Sequence, residues 1–200
     1  MSASFTVLWL QSGGCGGCSM SLLCADTDDF HGQLRDAGID LLWHPSLSLD
    51  SGSEVTALLG RILDGDLRLD ALCIEGSLLR GPNGSGRFHV MAGTGIAMID
   101  WVRRLAAKAR HVIAIGSCAA WGGVTAGGDN PTDACGLQYE DDARGGLLGA
   151  GFRAHGGLPA PGRKVMRSLD VVTVSLLQRA LDAREITEDL CDQPTLGESG

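Results

Sequence analysis

The 200-residue chain has no apolar run of membrane-spanning length, no secretory leader and no twin-arginine pair near its start; Arg103-Arg104 lies too deep to act as an export signal. These absences set the expectation of a cytoplasmic protein whose thiols stay reduced. A basic stripe is missing too: 16 Lys and Arg stand against 24 Asp and Glu, a formal charge of -8, so nucleic acid is an unsuitable partner. No internal repeat is visible, no two cysteines are adjacent, and the single C-x-x-C has no second pair at short spacing.

What the chain does have is apolar content, glycine and thiols. At 44% hydrophobic residues it can fill one core, giving one domain or one domain and a tail. Its 30 glycines are about twice the usual share of roughly 7% and call for tight turns or close backbone approaches. Seven cysteines in a reducing compartment point to metal binding or redox work over a disulfide framework.

Four segments read as buried strands: Phe5 to Leu10, Leu41 to Trp43, Leu69 to Ile74 and His111 to Ile115. Helical patterns lie between them at Glu54 to Leu63 and Ile96 to Ala109, the second with Arg103, Arg104, Lys108 and Arg110 toward its end, where cations suit the helix dipole. Alternating strands and helices imply an α/β fold with a doubly wound parallel sheet covered on both faces. Right-handed crossovers then carry the glycine-bearing loops Cys15 to Cys18, Glu75-Gly76 and Gly116 to Cys118 to one edge of that sheet, making neighbours of cysteines a hundred positions apart. From Gly122 to Gly162 the chain reads as loops, and Lys164 to Leu190 as an amphipathic helix before a frayed end.

The pair Cys15-Gly16-Gly17-Cys18 admits three readings. A thioredoxin-like redox pair is poorly matched by two intervening glycines. Structural zinc lacks its second pair. An iron–sulfur cluster takes thiolates from separate loops and wants bare backbone nearby, so that amides can approach the sulfides. Gly13, Gly14, Gly16, Gly17, Gly116, Gly122 and Gly123 supply it.

Four motifs in order, Leu8 to Ser21 around the C-x-x-C, Cys73-Ile74-Glu75-Gly76, Gly116-Ser117-Cys118-Ala119-Ala120-Trp121-Gly122-Gly123 and Asn130 to Gln138 around Cys135, resemble the small subunit of [NiFe]-hydrogenases, closest to the cytosolic hydrogen-sensing and uptake group. The resemblance runs from about residue 5 to about residue 159. It implies a flavodoxin-like three-layer module over residues 1–162 with a diverged helical tail at 163–200. It also implies a cluster near the Ni–Fe centre of a separate large subunit, held by Cys15, Cys18 and Cys118; electrons would then leave by a further electron-accepting subunit, a flavin or a nearby acceptor, or the signal would be conformational.

The family's fourth ligand sits in a Gly-Cys-Pro segment after a Leu-Pro strand, but here Gly157-Leu158-Pro159 continues as Ala160-Pro161-Gly162-Arg163-Lys164. The family's C-terminal domain for further clusters is expected to have no match within these 200 residues. Three thiolates suit a three-iron cluster, 3Fe-4S, or a 4Fe-4S cluster completed by another ligand, for which Cys135 and Cys191 are the candidates. The competing reading is a non-catalytic interaction or remnant protein with no stable cluster. A quinone- or flavin-linked carrier akin to a complex I subunit is a third, against which stands the lack of adjacent cysteines.

Other residues carry a plain alternative. Cys24 and Cys73 suit small buried hydrophobes. Glu75 is either a loop-orienting carboxylate or a hydrogen-bond acceptor beside the cluster, and His155 a loop histidine or a non-cysteine ligand. Gly81 to Phe88 nearly spells a phosphate-binding loop, yet Arg87 and Phe88 stand where Lys and Ser or Thr are needed. The tryptophans suit the core, with Trp121 placed to shield a cluster from water.

Overall fold

The computed structural model describes residues 4–23, 30–140 and 143–149. The four apolar runs become β1 (Phe5–Gln11), β2 (Ile39–Trp43), β3 (Ala71–Glu75) and β5 (His111–Ile115), all parallel and ordered β2-β1-β3-β5. That order has a topological switch point between β1 and β3, as in flavodoxin-like folds. The ladder for β3 begins at Ala71 opposite Val7, because the Asp70 amide is occupied by Thr6.

Side chains alternate across the sheet as strand geometry requires. Val7, Trp9, Cys73, Ile113 and Ile115 pack on one face, against Leu22 of α1 (Gly17–Leu23) and Leu34 of α2 (Phe30–Asp36). Leu8, Leu10, Leu72, Ile74, Val112 and Ala114 pack on the other, against α3 (Ser53–Asp64) and α4 (Met98–Ala106). The result is the expected three-layer α/β sandwich.

Val55, Leu59 and Ile62 give α3 one buried stripe, and Gly65 in the left-handed region ends it. In α4 the buried Met98, Ile99, Trp101, Val102 and Leu105 face the sheet, with Asp100 in the first turn and Arg103 and Arg104 in the last. The helix stops three residues before the expected Ala109, since the Arg110 amide is bonded to the Leu69 carbonyl and the chain is already turning into β5.

The glycine-rich stretch holds more order than its composition suggests. After β5 come α5 (Gly116–Trp121) and a 3-10 turn (Gly123–Ala126). Two short antiparallel ladders follow: β4 (Leu78–Leu79) with β6 (Ala134–Cys135), and β7 (Tyr139–Glu140) with β8 (Ala143–Arg144). The segment Gly81 to Phe88 is a loop closed by Gly86 N–H donating to the Arg80 carbonyl, and no helix opens at its end as a phosphate loop demands. Among the described residues no helix is long and apolar enough to cross a membrane. The boundary expected at residue 162 and the helix expected from Lys164 lie outside the described residues.

Candidate metal centre

Register decides what meets what. Gln11 pairs with Glu75 and Glu75 with Ile115, so β1, β3 and β5 end level with one another at the carboxyl edge. Cys15 lies in the loop leaving β1, and Cys18 in the first turn of α1. Glu75 is the last residue of β3, and Cys118 lies in the first turn of α5 directly after β5. Open α/β sheets place their sites here, outside the carboxyl ends at the switch point.

The thiols come together. The Cys18 thiol lies 3.9 Å from the carbonyl of Ile115, at the exit of β5. Burial, then the Glu75 carboxylate, then the Cys118 and Cys15 thiols push Cys18 up to about 12. Both other sulfurs therefore lie within electrostatic range of it, and by itself it stays protonated at neutral pH. A cationic metal centre reverses this, because a coordinating thiol is deprotonated outright. Cys15 is exposed, Cys18 and Cys118 half-buried, and all five described cysteines are free.

Among the described residues no three His, Cys, Asp or Glu side chains converge closely enough for a single metal ion. Cys15 and Cys118 thus lie within electrostatic range of Cys18 without the three forming a single-ion site. Bare backbone walls the space: a Cβ on Gly123, at φ +55°, would fall 2.6 Å from the Cys118 sulfur. At Gly76, with φ +85°, a Cβ would fall 3.0 Å from Ser12 and Gly13 backbone, so the loops after β1 and β3 touch main chain to main chain. Three thiols beside glycine backbone suit an iron–sulfur cluster by donor chemistry.

Glu75 organises the near side. One carboxylate oxygen accepts the Cys18 and Ser19 amides at 3.1 and 3.0 Å. The other accepts Trp9 Nε1 at 3.1 Å, Gln11 Nε2 at 3.0 Å and the Ser19 hydroxyl. Burial alone would raise its pKa, but the bonds from Ser19, Gln11 and Trp9 outweigh it and hold the carboxyl below the ordinary range. Ser19 is backed by His44: its Nδ1 accepts Ser46 N–H, which leaves Nε2–H to donate to Ser19 Oγ at 3.1 Å. Burial keeps this histidine below its usual pKa despite the pull of Glu75, and its ring packs 5.0 Å from that of Trp9.

Of the other sequence candidates, Cys73 is fully buried within β3, its thiol raised to about 12 by burial, as a small core residue should be. Cys135 is also fully buried, on β6 opposite Leu78; after burial, the charges that act on it are Arg80, Glu140 and Asp133, not the other thiols. Trp121 is 7% exposed and stacks on Tyr139. Cys24, His155 and Cys191 lie outside the described residues. Ser19 and His44 escaped sequence reading; the only available signal was a serine directly after the C-x-x-C.

Residues 15–176 match the family described as NADH ubiquinone oxidoreductase, 20 Kd subunit. The small subunit of F420 non-reducing hydrogenase II of Methanosarcina mazei is 30% identical over 73% of this chain, which spans 41% of that relative. The hydrogenase-2 small chain of Escherichia coli is 36% identical over 66% of this chain and 34% of its own length. Among solved structures, the actinobacterial-type NiFe-hydrogenase of Ralstonia eutropha aligns at a TM-score of 0.67 and 28% identity, over 90% of this chain and 55% of that one. The chain thus covers about two fifths or less of the curated relatives it matches. A match over most of its length, joined to motifs that the fold gathers at one sheet edge, makes this protein a member of the NADH ubiquinone oxidoreductase 20 kDa subunit family, related within it to the small subunits of hydrogenases.

Proposed function

We propose that the chain is the electron-transfer small subunit of a [NiFe]-hydrogenase that oxidises or senses H2, with Cys15, Cys18 and Cys118 as ligands of the iron–sulfur cluster nearest the Ni–Fe site of a separate large subunit. The observation that carries this is the level exit of β1, β3 and β5, with Cys15 and Cys118, from two distant segments, both within electrostatic reach of Cys18. When bound, the cluster supplies one-electron redox chemistry. The chain's own part would be to hold it: Cys15, Cys18 and Cys118 would supply the thiolates, the glycine loops would leave main chain open to it, and Glu75 fixes the turn that carries Cys18. Exposed Met20, Leu23 and Val124, beside Cys18 and Cys118 in sequence, supply apolar surface for the large subunit. Electrons leave through a further accepting subunit, and the cysteine usage suits a reducing compartment.

One observation favours a second reading, a remnant without a cluster: the residues after Gly157-Leu158-Pro159 lack the family's fourth ligand. Iron and acid-labile sulfide per chain after anaerobic purification separate the two. The proposal expects a cluster whose low-temperature EPR signal vanishes in Cys118→Ser and persists in Cys24→Ser, together with co-purification of a large subunit bearing two C-x-x-C motifs. Folded protein with near-zero iron establishes the remnant reading instead.

A further inference from the structure

Two hydroxyls join the loops that carry the thiols. Ser77, fully buried just after β3, exchanges both main-chain bonds with Gly13 at the root of the C-x-x-C loop, at 2.7 and 2.9 Å. Its Oγ lies 2.8 Å from the Gly13 carbonyl and 2.5 Å from Thr125 Oγ1. Thr125 Oγ1 in turn lies 2.7 Å from the carbonyl of Gly122.

Those three contacts must share two hydroxyl protons. Two oxygens at 2.5 Å need a proton between them, and the Gly13 carbonyl already takes the Ser77 amide. The Ser77 O–H, shared between the Gly13 carbonyl and Thr125 Oγ1, and the Thr125 O–H, donated to the Gly122 carbonyl, make one continuous line of hydroxyl contacts from Gly13 to Gly122.

Gly122 sits against Cys118, its amide donating to the Cys118 carbonyl at 2.9 Å. The next residue, Gly123, is the one whose bare Cα walls the Cys118 sulfur. The relay therefore starts on the loop bridged to Cys15 and Cys18 and ends on the peptide that fixes the Cys118 thiol.

We infer that Ser77 and Thr125 are positioning residues that set where the Cys118 sulfur stands relative to the C-x-x-C pair. Their bearing on a cluster rests on the proposed function; their bearing on the thiol does not. The relay acts at a distance from iron, as outer-shell hydrogen bonds do in metal sites.

The test reads the thiol first, in cluster-free full-length protein, by the rate at which an alkylating reagent labels each cysteine, measured by mass spectrometry. Thr125→Val keeps the shape and removes the hydroxyl, and is expected to speed labelling of Cys118 several-fold with Cys15 and Cys73 unchanged. Thr125→Ser restores the wild-type rate, and Ser77→Ala behaves as Thr125→Val. An unchanged Cys118 rate in Thr125→Val overturns the inference, as does simultaneous labelling of buried Cys73, which signals general loosening. In protein carrying a cluster, Thr125→Val is expected to alter the EPR line shape and to release iron to a chelator about 10-fold faster, with Thr125→Ser as wild type. A wild type devoid of iron overturns the proposed function and the cluster arm with it, while the labelling arm still decides the role of the relay.

Discussion

Asp70 immediately precedes β3 and Glu75 ends it; both are buried, at 0% and 3% exposure, and their charges are settled differently. Asp70 accepts the Thr6 amide at 3.0 Å, lies 3.1 Å from the Thr6 hydroxyl and pairs with the Arg68 guanidinium. Its charge is closed within the entry to the sheet. Glu75 is held by five neutral donors and, among the described residues, meets no cation. Its negative potential remains open toward the thiols, where it raises Cys18. Of two buried carboxylates flanking this stretch, only the one without a counter-ion among the described residues could act on the proposed cluster, whose potential would depend on local charge and hydrogen bonds.

The contrast breaks or sharpens under substitution. Glu75→Ala strands five donors and is expected to lower stability to chemical denaturation by about 4 kcal/mol and to strip iron from the protein. Asp70→Ala strands the Thr6 amide and leaves Arg68 without its partner, a loss of about 3 kcal/mol, with the EPR signal of the surviving folded fraction unchanged. Equal loss of that signal in both variants would erase the distinction.

Ser19→Ala removes one donor from Glu75 and the acceptor of His44 Nε2–H, for about 1–2 kcal/mol and a displaced EPR signal. The smallest effect belongs to a third carboxylate, Glu140, which faces the Arg80 guanidinium at 2.6 and 2.8 Å with its side chain 45% exposed. Arg80 holds it below the usual carboxylate range, so its contribution is complete above the ordinary pKa and disappears as pH falls through the lowered one. Glu140→Gln is expected to cost no more than about 1 kcal/mol at neutral pH, a difference that vanishes in acid when unfolding is followed at several pH values.

The four central strands are legible because parallel strands covered on both faces read as near-continuous apolar runs, as Ala71 to Ile74 does. The three thiols are legible because glycine loops follow those runs and parallel topology sends the loops to one edge. Helix α2 (Phe30–Asp36) is not: Gln33, Arg35 and Asp36 crowd its few apolar positions, and Leu34 packs only once the sheet is present. Nor are the hydrogen bonds around Glu75 and Ser77, which join residues 48 to 66 positions apart and obey no period. Cys135 shows the converse limit, since a cysteine inside a matching motif reads as a candidate ligand whether its thiol faces the others or, as here, a core strand and an arginine.

The contact between the Cys18 sulfur and the Ile115 carbonyl spans 97 positions. While the chain is being synthesised, a growing polypeptide that has not yet released β5 from the ribosome has only two of the three proposed ligands in hand, Cys15 and Cys18. Iron delivered at that moment would find two donors and an unfinished pocket. On the proposed ligand set, all three thiols meet only after β5 has docked on β3, which makes assembly of the sheet the step that completes the pocket.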